Sequence, residues 1–249
     1  MARPPAVRHH AIMLARTKLA EQDLIVTLLD ASGQQIRAVA KGARKPGGRL
    51  AARTELFVEA DMLISQGRGL GIITEAQIVD AHVGVREDVD RMASASAMCE
   101  VARLTSYEDM PDPFLFALLS RSLRACEQAL SRAQLDEMVA AYVFKVMAHS
   151  GWMPVLDTCV SCGEAVPSRL CVRAGGVLCE SCARDVEDAL PISSNLIAWI
   201  DALIRMTFDA LLDAPIDGHT ASDLLDISHR WAATHLEARL RALEFLSTL

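Results

Sequence analysis

The sequence predicts an α+β fold, in which a small N-terminal β-barrel precedes a helical domain with an embedded four-cysteine element. Apolar residues recur with a period of two over the first 80 residues and with a helical period after about residue 85. Five of the seven cysteines fall within residues 159–182. Hydrophobic residues make up 51% of the chain and charged residues 23%, which is typical of a folded globular protein.

The first 80 residues carry the pattern of short β-strands. Positions 56, 58, 60, 62 and 64 are all apolar, as in a strand with one buried face. A turn is predicted at Asp30-Ala-Ser-Gly33, and a long glycine-rich loop follows the third strand. The five strands are predicted at residues 7–15, 24–29, 36–40, 56–64 and 70–79. Five short strands with this spacing predict a five-stranded OB-type barrel.

Helical periodicity continues to the end of the chain. Stripes of apolar residues cover residues 139–147, 196–203 and 225–243, and proline-containing segments at 110–113 and 213–218 are expected to interrupt the helices. Four large side chains on these stripes are expected in the core or at its edge. They are Met147, His149, Trp199 and Trp231.

Charge is distributed unevenly along the chain. The formal net charge of -7 by itself argues against a polyanionic partner. However, residues 1–80 hold 11 Lys or Arg and 8 Asp or Glu, a net of +3, whereas residues 81–150 and 151–249 have nets of -3 and -7. Residues 37–53 contain six cations and no acid: Arg37, Lys41, Arg44, Lys45, Arg49 and Arg53. Six cations without an acid form a local positive field inside an otherwise acidic protein.

A shortage of aromatic residues limits how this segment could hold a nucleic acid. Phe57 is the single Phe, Tyr or Trp within residues 1–80, and the pattern places it on the strand face opposite the apolar row. Base stacking, worth about 1–3 kcal/mol per base, therefore contributes little, and phosphate contacts must supply the affinity. If all six cations reached phosphates, log K would fall against log salt with a slope of about -4. Such binding leaves base edges free for pairing.

The clustered cysteines follow the pattern C-x2-C, x16, C-x2-C. Each two-residue gap lets two thiolates face one tetrahedral ion, so the spacing predicts one structural zinc per chain, held by Cys159, Cys162, Cys179 and Cys182. Four thiolates leave no open position for a substrate. Residues 157–188 hold three Arg and six acids, so the element is expected to serve as a folding clip or protein contact rather than a DNA-binding finger.

Other uses of the cysteines are less consistent with the pattern. A thioredoxin-type site needs a single C-x-x-C, and a zinc deaminase needs an H-x-E motif, which is absent. Cys171 lies in the spacer and competes in principle as a ligand, whereas Cys99 and Cys126 are expected to be buried helical residues. The motifs H-E-x-x-H, G-x-S-x-G and Walker A are also absent, so we expect a protein that is not an enzyme.

These patterns divide the chain into four predicted segments. The N-terminus lacks the apolar region of a secretory signal, and no run approaches the roughly 18 apolar residues of a membrane span. We therefore expect a cytoplasmic protein with reduced thiols and no membrane contact. The segments are an OB-fold at 1–82, a helical domain at 83–157, a zinc-ribbon-like element at 158–188 and the remaining helices at 189–249.

The ordered motifs resemble the bacterial DNA repair protein RecO family over essentially the whole length. The resembling segments are Lys41-Gly-Ala-Arg-Lys45, Gly151-Trp-Met-Pro154, Leu156-Asp157 before Cys159, Cys162-Gly163, Gly175-Gly176 before Cys179 and Cys182, and the segment 235–245 as a C-terminal helix. The resemblance implies binding of single- and double-stranded DNA, strand annealing, and action with RecR and the single-strand binding protein in the nucleoid. With this resemblance, the DNA-binding residues are expected to be the six cations Arg37, Lys41, Arg44, Lys45, Arg49 and Arg53. Not every member of this family keeps the four cysteines, so the zinc prediction depends on their spacing in this chain.

Partner contacts and one alternative function stay open at the level of sequence. The acidic C-terminal tail of the single-strand binding protein requires a basic, partly apolar site, for which the candidates by charge are Arg103, Arg121, Arg124 and Arg132. Alternatively, the chain is a protein-interaction scaffold whose basic loop docks an acidic protein. Binding of a labelled oligonucleotide separates the two functions.

Overall fold

The computed structural model describes residues 6–66, 69–165 and 168–248. The chain divides into two compact units, Met1–Glu127 and Gln128–Leu249. Among the described residues, the first unit contains a β-barrel, a short 3₁₀-helix (Ala52–Thr54) and three α-helices, and the second contains six α-helices and a small three-stranded sheet. The predicted α+β fold is confirmed.

The barrel has five strands, and each of them pairs with two neighbours. The strand order is β1-β2-β3-β5-β4, and β4 pairs back onto β1, so the sheet closes on itself. All pairs are antiparallel except β3 with β5, which are parallel over two residue pairs. This is the predicted OB-type barrel. The strands are β1 (Ala6–Lys18), β2 (Leu24–Asp30), β3 (Gln35–Ala40), β4 (Glu59–Ser65) and β5 (Gly71–Asp80).

The predicted start of the fourth strand and the predicted position of Phe57 are wrong. Phe57 has a φ of 70°, and β4 begins two residues later, at Glu59. Met13 hydrogen-bonds both Phe57 and Val58 through its backbone, which draws this turn against β1. The left-handed residue reverses the alternation, so the Phe57 ring is 1% exposed instead of facing solvent. A buried ring cannot stack on a base, so the argument against stacking holds for a different reason.

Inside the barrel, alternate residues form the core. Ala38 and Ala40 of β3 are fully buried, whereas Arg37 and Lys41 are exposed, as the period-two pattern predicts. The predicted turn after β2 is also present, since Gly33 has a φ of 82° and donates its N–H to the carbonyl of Asp30. The barrel interior therefore fixes which cations of β3 face solvent.

Three helices complete the first unit: α1 (Val83–Arg86), α2 (Val89–Thr105) and α3 (Pro113–Gln128). Asp88 caps α2 by accepting a hydrogen bond from the backbone of Arg91. Cys99 and Cys126 are buried in these helices, as predicted. Burial raises the pKa of Cys126 to about 12 and also raises that of Cys99, so both thiols stay protonated at neutral pH.

The second unit is built around a central helix, α4 (Arg132–His149), which packs against three later helices, α6 (Ser194–Arg205), α7 (Phe208–Leu212) and α8 (Gly218–His235). No helix among the described residues is both long enough and apolar enough to cross a membrane. The remaining elements are β6 (Arg169–Cys171), β7 (Gly176–Leu178), α5 (Glu180–Ala183), β8 (Leu190–Pro191), α6 (Ser194–Arg205), α7 (Phe208–Leu212), α8 (Gly218–His235) and α9 (Arg241–Leu246).

Two expectations for the second unit are wrong. The apolar stripe at 225–243 is not one helix, because α8 ends at His235 and Glu237 adopts a left-handed φ of 49° before α9 begins. His149 is exposed as the last residue of α4, and Gly151, with a φ of 92°, lies just beyond the end of this helix. Met147 and Trp231 are buried, and Trp199 is half-buried, as expected.

Glu137 gives this unit a testable pH dependence. Its side chain is fully buried in α4, neither carboxylate oxygen has a hydrogen-bond partner among the described residues, and burial raises its pKa to about 8. Because the unfolded chain ionises this group near 4.5, stability falls as pH rises from that value towards 8. We expect Glu137→Gln to raise the free energy of unfolding by about 3 kcal/mol at pH 7 and by little at pH 4.

Urea unfolding at the two pH values measures this difference. Glu75→Gln, which changes an exposed carboxylate on β5, is the matched control and should have little effect at either pH. An equal effect of Glu137→Gln at pH 4 and pH 7 would contradict the assignment of a neutral, buried carboxyl group.

Candidate nucleic-acid interface and metal centre

The basic segment after β3 folds as a series of tight turns. Backbone N–H groups of Lys45, Gly48 and Ala51 donate to the carbonyls three residues earlier, at 3.1, 2.8 and 3.0 Å. Gly42 and Gly47 have φ values of 66° and 68°, which residues with a side chain rarely adopt. The glycines of this loop therefore let successive turns follow one another and present the cations between them.

The loop is braced against the connection between β1 and β2. The Asp23 carboxylate accepts a hydrogen bond from the N–H of Gly42 at 2.8 Å, and the carbonyl of Gln22 accepts one from the N–H of Arg44 at 3.0 Å. The Arg44 guanidinium also donates to the carbonyl of Glu21 at 2.8 Å. These contacts hold the basic loop in a defined position on the barrel.

Two grooves of similar size flank this loop. The β5 groove, of about 520 Å³, lies between the loop and the start of β5; its cations are Lys41, Lys45 and Arg49. The β1 groove, of about 510 Å³, lies between the loop and the end of β1; its charged residues are Arg16, Lys18, Arg44, Lys45 and Glu55. Thus four of the six predicted DNA-binding cations line a groove, and Arg37 and Arg53 line neither.

Arg16 and Lys18 were not identified as candidates from the sequence. They are about 20 residues from the basic segment, and only strand pairing brings them near it. In the barrel, Lys18 lies opposite Leu24 of β2, which in turn lies opposite Ala40, next to Lys41. The available signal in the sequence was a pair of cations at alternate positions, Arg16 and Lys18, directly after the first predicted strand.

The cations of the two grooves differ in their partners. Arg16 forms an ion pair with Glu55 at 2.8 Å and donates to the carbonyl of Thr54. Arg49 donates to the carbonyl of Thr74 at 2.5 Å, which places its guanidinium at the edge of β5. No carboxylate of the described residues pairs with Lys41, Lys45 or Lys18, so these ammonium groups are available for an anionic ligand.

The four arginines considered for an acidic tail have different surroundings. Arg124, in the first unit, lies 3.7 Å from the carboxylate of Asp80. Arg132, in the second unit, bonds Asp136 and the carbonyl of Leu246, each at 2.7 Å, and so fixes the C-terminal helix. Arg103 and Arg121 are exposed on α2 and α3.

The four cysteines predicted to bind zinc converge in the second unit. Their sulfur atoms all lie within 4.8 Å of one another, and Cys162 Sγ is 3.7 Å from Cys179 Sγ. Zinc–sulfur bonds of about 2.3 Å in a tetrahedron require sulfur–sulfur distances of about 3.8 Å. The donor set and its geometry therefore fit a zinc site with four thiolate ligands. Cys171 is buried in β6 and is not part of this group.

Local structure explains why these cysteines meet. The first pair lies in a turn closed by a hydrogen bond from the N–H of Gly163 to the carbonyl of Cys159, with Gly163 at a φ of 79°. Cys179 lies at the N-terminus of the short helix α5, which carries the fourth ligand. At Gly176 a Cβ would lie 2.3 Å from the carbonyl oxygen of Val155, so only glycine lets β7 approach that segment.

The thiols of the cluster differ in pKa. A backbone hydrogen bond from Cys179 is the main cause that lowers the pKa of Cys159 to about 6. A backbone hydrogen bond from Glu164 acts in the same direction on Cys162, but hydrogen bonds with the neighbouring thiols outweigh it and raise the pKa of Cys162 to about 12. A divalent cation binds such a group by displacing the remaining protons.

The surface around the cluster is acidic. Arg169 pairs with Glu180 at 3.2 Å, and Arg173 pairs with Asp188 at 3.6 Å. Two of the three arginines within residues 157–188 are thus already neutralised by acids of the same element. This arrangement agrees with a structural centre and does not offer a phosphate-binding surface.

Comparison with known proteins matches both the N-terminal and the C-terminal part of the chain to one family. Residues 1–82 match the family model "Recombination protein O N terminal", and residues 86–244 match "Recombination protein O C terminal". A protein named DNA repair protein RecO from Bifidobacterium longum (strain DJO10A) is 33% identical over 243 residues, covering 97% of this chain and 98% of the relative. Its namesake from Frankia casuarinae is 33% identical over 247 residues, covering 97% and 98%.

A more distant relative extends the match beyond these two organisms. The DNA repair protein RecO of Thermoanaerobacter sp. (strain X514) is 26% identical over 246 residues, covering 98% of both chains. Both family models together span nearly all of the sequence, from the first strand to the last helix. The chain therefore belongs to the recombination protein O (RecO) family of DNA repair and recombination proteins.

Proposed function

We propose that this protein is a non-catalytic recombination mediator that binds single- and double-stranded DNA through the phosphate backbone at the basic loop. In this proposal it promotes annealing of complementary strands. Together with RecR, it also helps to replace the single-strand binding protein on DNA by the recombinase. In this proposal the protein contacts the C-terminal tail of the single-strand binding protein and acts in the nucleoid. The observation that carries the proposal is the braced loop, whose cations line two open grooves on a barrel of a family named for DNA repair.

The chemistry of the grooves favours contacts to phosphates rather than bases. Lysine and arginine neutralise phosphates and release counterions, which binds DNA of any sequence. No aromatic side chain lines either groove, and Phe57 is buried, so base stacking adds nothing in the described part of the barrel. Bases that the protein leaves unread stay free to pair with a second strand.

The same cations would lower the barrier to bringing two strands together. Two polyanionic strands repel each other, and cations placed between them reduce this repulsion. A protein that supplies positive charge without occupying base edges therefore favours annealing. We include Arg37 and Arg53 as outer contacts of this surface, with weaker contributions because they line neither groove.

The zinc ion is proposed to be structural. Cys159, Cys162, Cys179 and Cys182 would hold one ion per chain, and the ion would cross-link the two turns that carry the cysteine pairs. Cys159 and Cys179 belong to a small apolar cluster with Leu178, and Cys182 packs against this cluster. The acidic surface of this element favours a contact with protein rather than DNA.

Fluorescence anisotropy with labelled oligonucleotides tests the DNA-binding proposal. We expect similar affinities for unrelated sequences and a steep loss of binding between about 50 and 200 mM salt, on the order of the effect of several phosphate contacts. Annealing of complementary strands, bare or coated with single-strand binding protein, tests the mediator role. Absence of oligonucleotide binding at low salt would favour the scaffold alternative, in which the loop docks an acidic protein.

A further inference from the structure

We infer that one barrel holds two DNA strands at the same time, one in the β1 groove and one in the β5 groove, with Lys45 facing both. This inference rests on the proposed DNA binding and adds a second binding site, formed by Arg16, Lys18 and Arg44, beside the predicted one. The ligand of the second site is a single-stranded polynucleotide, recognised through its phosphates.

The first argument is the equivalence of the two grooves. Their volumes are about 520 and 510 Å³, each within the range of sites that take a nucleotide-sized ligand. Three cations give the β5 groove a formal charge of +3, and four cations with Glu55 give the β1 groove the same charge, counting Lys45 in both. The two grooves therefore have similar volumes and the same formal charge, and neither is a small extension of the other.

The second argument is the ridge that separates the two grooves. Lys45, Pro46 and Gly47 line both grooves and so form a shared ridge. The ridge is held on the barrel by the hydrogen bonds of Gly42 and Arg44 to residues 21–23. A single strand that occupied both grooves would have to cross this braced ridge, whereas two strands would lie along its two sides with Lys45 between their phosphates.

The third argument is that different elements of the barrel supply the cations of the two grooves. The cations that line only the β1 groove are Arg16 and Lys18 of β1 and Arg44 of the loop, whereas those that line only the β5 groove are Lys41, directly after β3, and Arg49, later in the loop. Removal of a cation from one groove therefore leaves the other groove complete. This separation makes the two sites testable one at a time.

Lys18 and Lys41 provide the matched pair of variants. Both side chains are exposed, each lines one groove only, and neither ammonium group has a partner in the described part of the chain. Lys18→Glu and Lys41→Glu should each fold normally. We expect each to lower the affinity for one short oligonucleotide by about threefold or less, because the other groove still binds, and to slow annealing by about tenfold or more.

Native mass spectrometry with non-complementary oligonucleotides of about ten nucleotides measures the number of strands per chain directly. We expect a species of one chain with two different oligonucleotides for the wild type, and predominantly one oligonucleotide per chain for each variant. Counting chains in the complex excludes bridging by two copies of the protein. Energy transfer between donor- and acceptor-labelled oligonucleotides on the same chain provides a second readout in solution.

The possible failures are distinguishable. If the wild type saturates at one oligonucleotide per chain, or if annealing falls only in proportion to single-strand affinity in both variants, the two-strand inference is wrong while DNA binding stands. If the wild type binds no oligonucleotide at all, the proposed function itself is wrong.

Discussion

Replacement of Cys159 or Cys179 by serine is expected to abolish stoichiometric zinc binding and to destabilise the second unit by several kcal/mol. The physical reason is that the binding free energy of a structural zinc, about 10–16 kcal/mol in small zinc-binding peptides, contributes directly to folding. The short strands β6 and β7 and the four-residue helix α5 supply little stability of their own. Zinc content and thermal unfolding measure the two effects.

The chain contains a matched control and a local probe for this prediction. Cys171 is buried in the same element but is not part of the four-sulfur group, so Cys171→Ser should keep one zinc per chain. All three tryptophans, Trp152, Trp199 and Trp231, belong to the second unit, so their fluorescence reports its unfolding. Unchanged zinc content in Cys159→Ser, or equal loss in Cys171→Ser, would contradict the assigned ligand set.

A variant with alanine at Lys41, Arg44, Lys45 and Arg49 is expected to bind single-stranded DNA at least about a hundredfold more weakly at low salt, since it loses up to four phosphate contacts of about 1 kcal/mol or more each. Annealing should fall at least as far. Anisotropy titrations and an annealing assay measure the two losses, and circular dichroism checks that the barrel remains folded.

The control removes the same number of charges elsewhere. Arg103, Arg121, Arg184 and Arg230 are exposed and lie outside both grooves, so their replacement by alanine should change DNA affinity by only a few-fold. Because Arg44 also braces the loop, a second variant that keeps it and changes Lys41 and Lys45 tests charge alone. Equal losses in the charge-matched control would show that the loop has no special role.

Local signals in the sequence were sufficient for several features. The two C-x2-C pairs each lie within one turn, so their spacing alone predicted four sulfur atoms that the structure brings together. The alternation along β3 likewise predicted that Arg37 and Lys41 are exposed while Ala38 is buried. In these cases a few neighbouring residues determine the geometry.

Features that depend on distant contacts or unusual dihedral angles were not predictable in this way. Arg16 and Lys18 join the basic loop only through strand pairing with β2. Phe57 and Glu237 adopt left-handed backbone conformations without a glycine to indicate them, so the start of β4 and the end of α8 were misplaced. The division of the basic surface into two grooves depends on the position of the basic loop. The hydrogen bond from Gly42 to the carboxylate of Asp23, which is distant in sequence, holds the loop in that position.

The salt dependence of DNA affinity tests the central claim, that the basic loop binds the phosphate backbone, most directly. For a single strand, each phosphate contact contributes about 0.7 to the slope of log K against log salt. The account predicts a clearly negative slope for the wild type, about -2 where a strand occupies one groove with three cations and about -4 at the limit in which all six cations contribute, and a shallower slope for the variant lacking Lys41, Arg44, Lys45 and Arg49. An identical slope for the two proteins would contradict it.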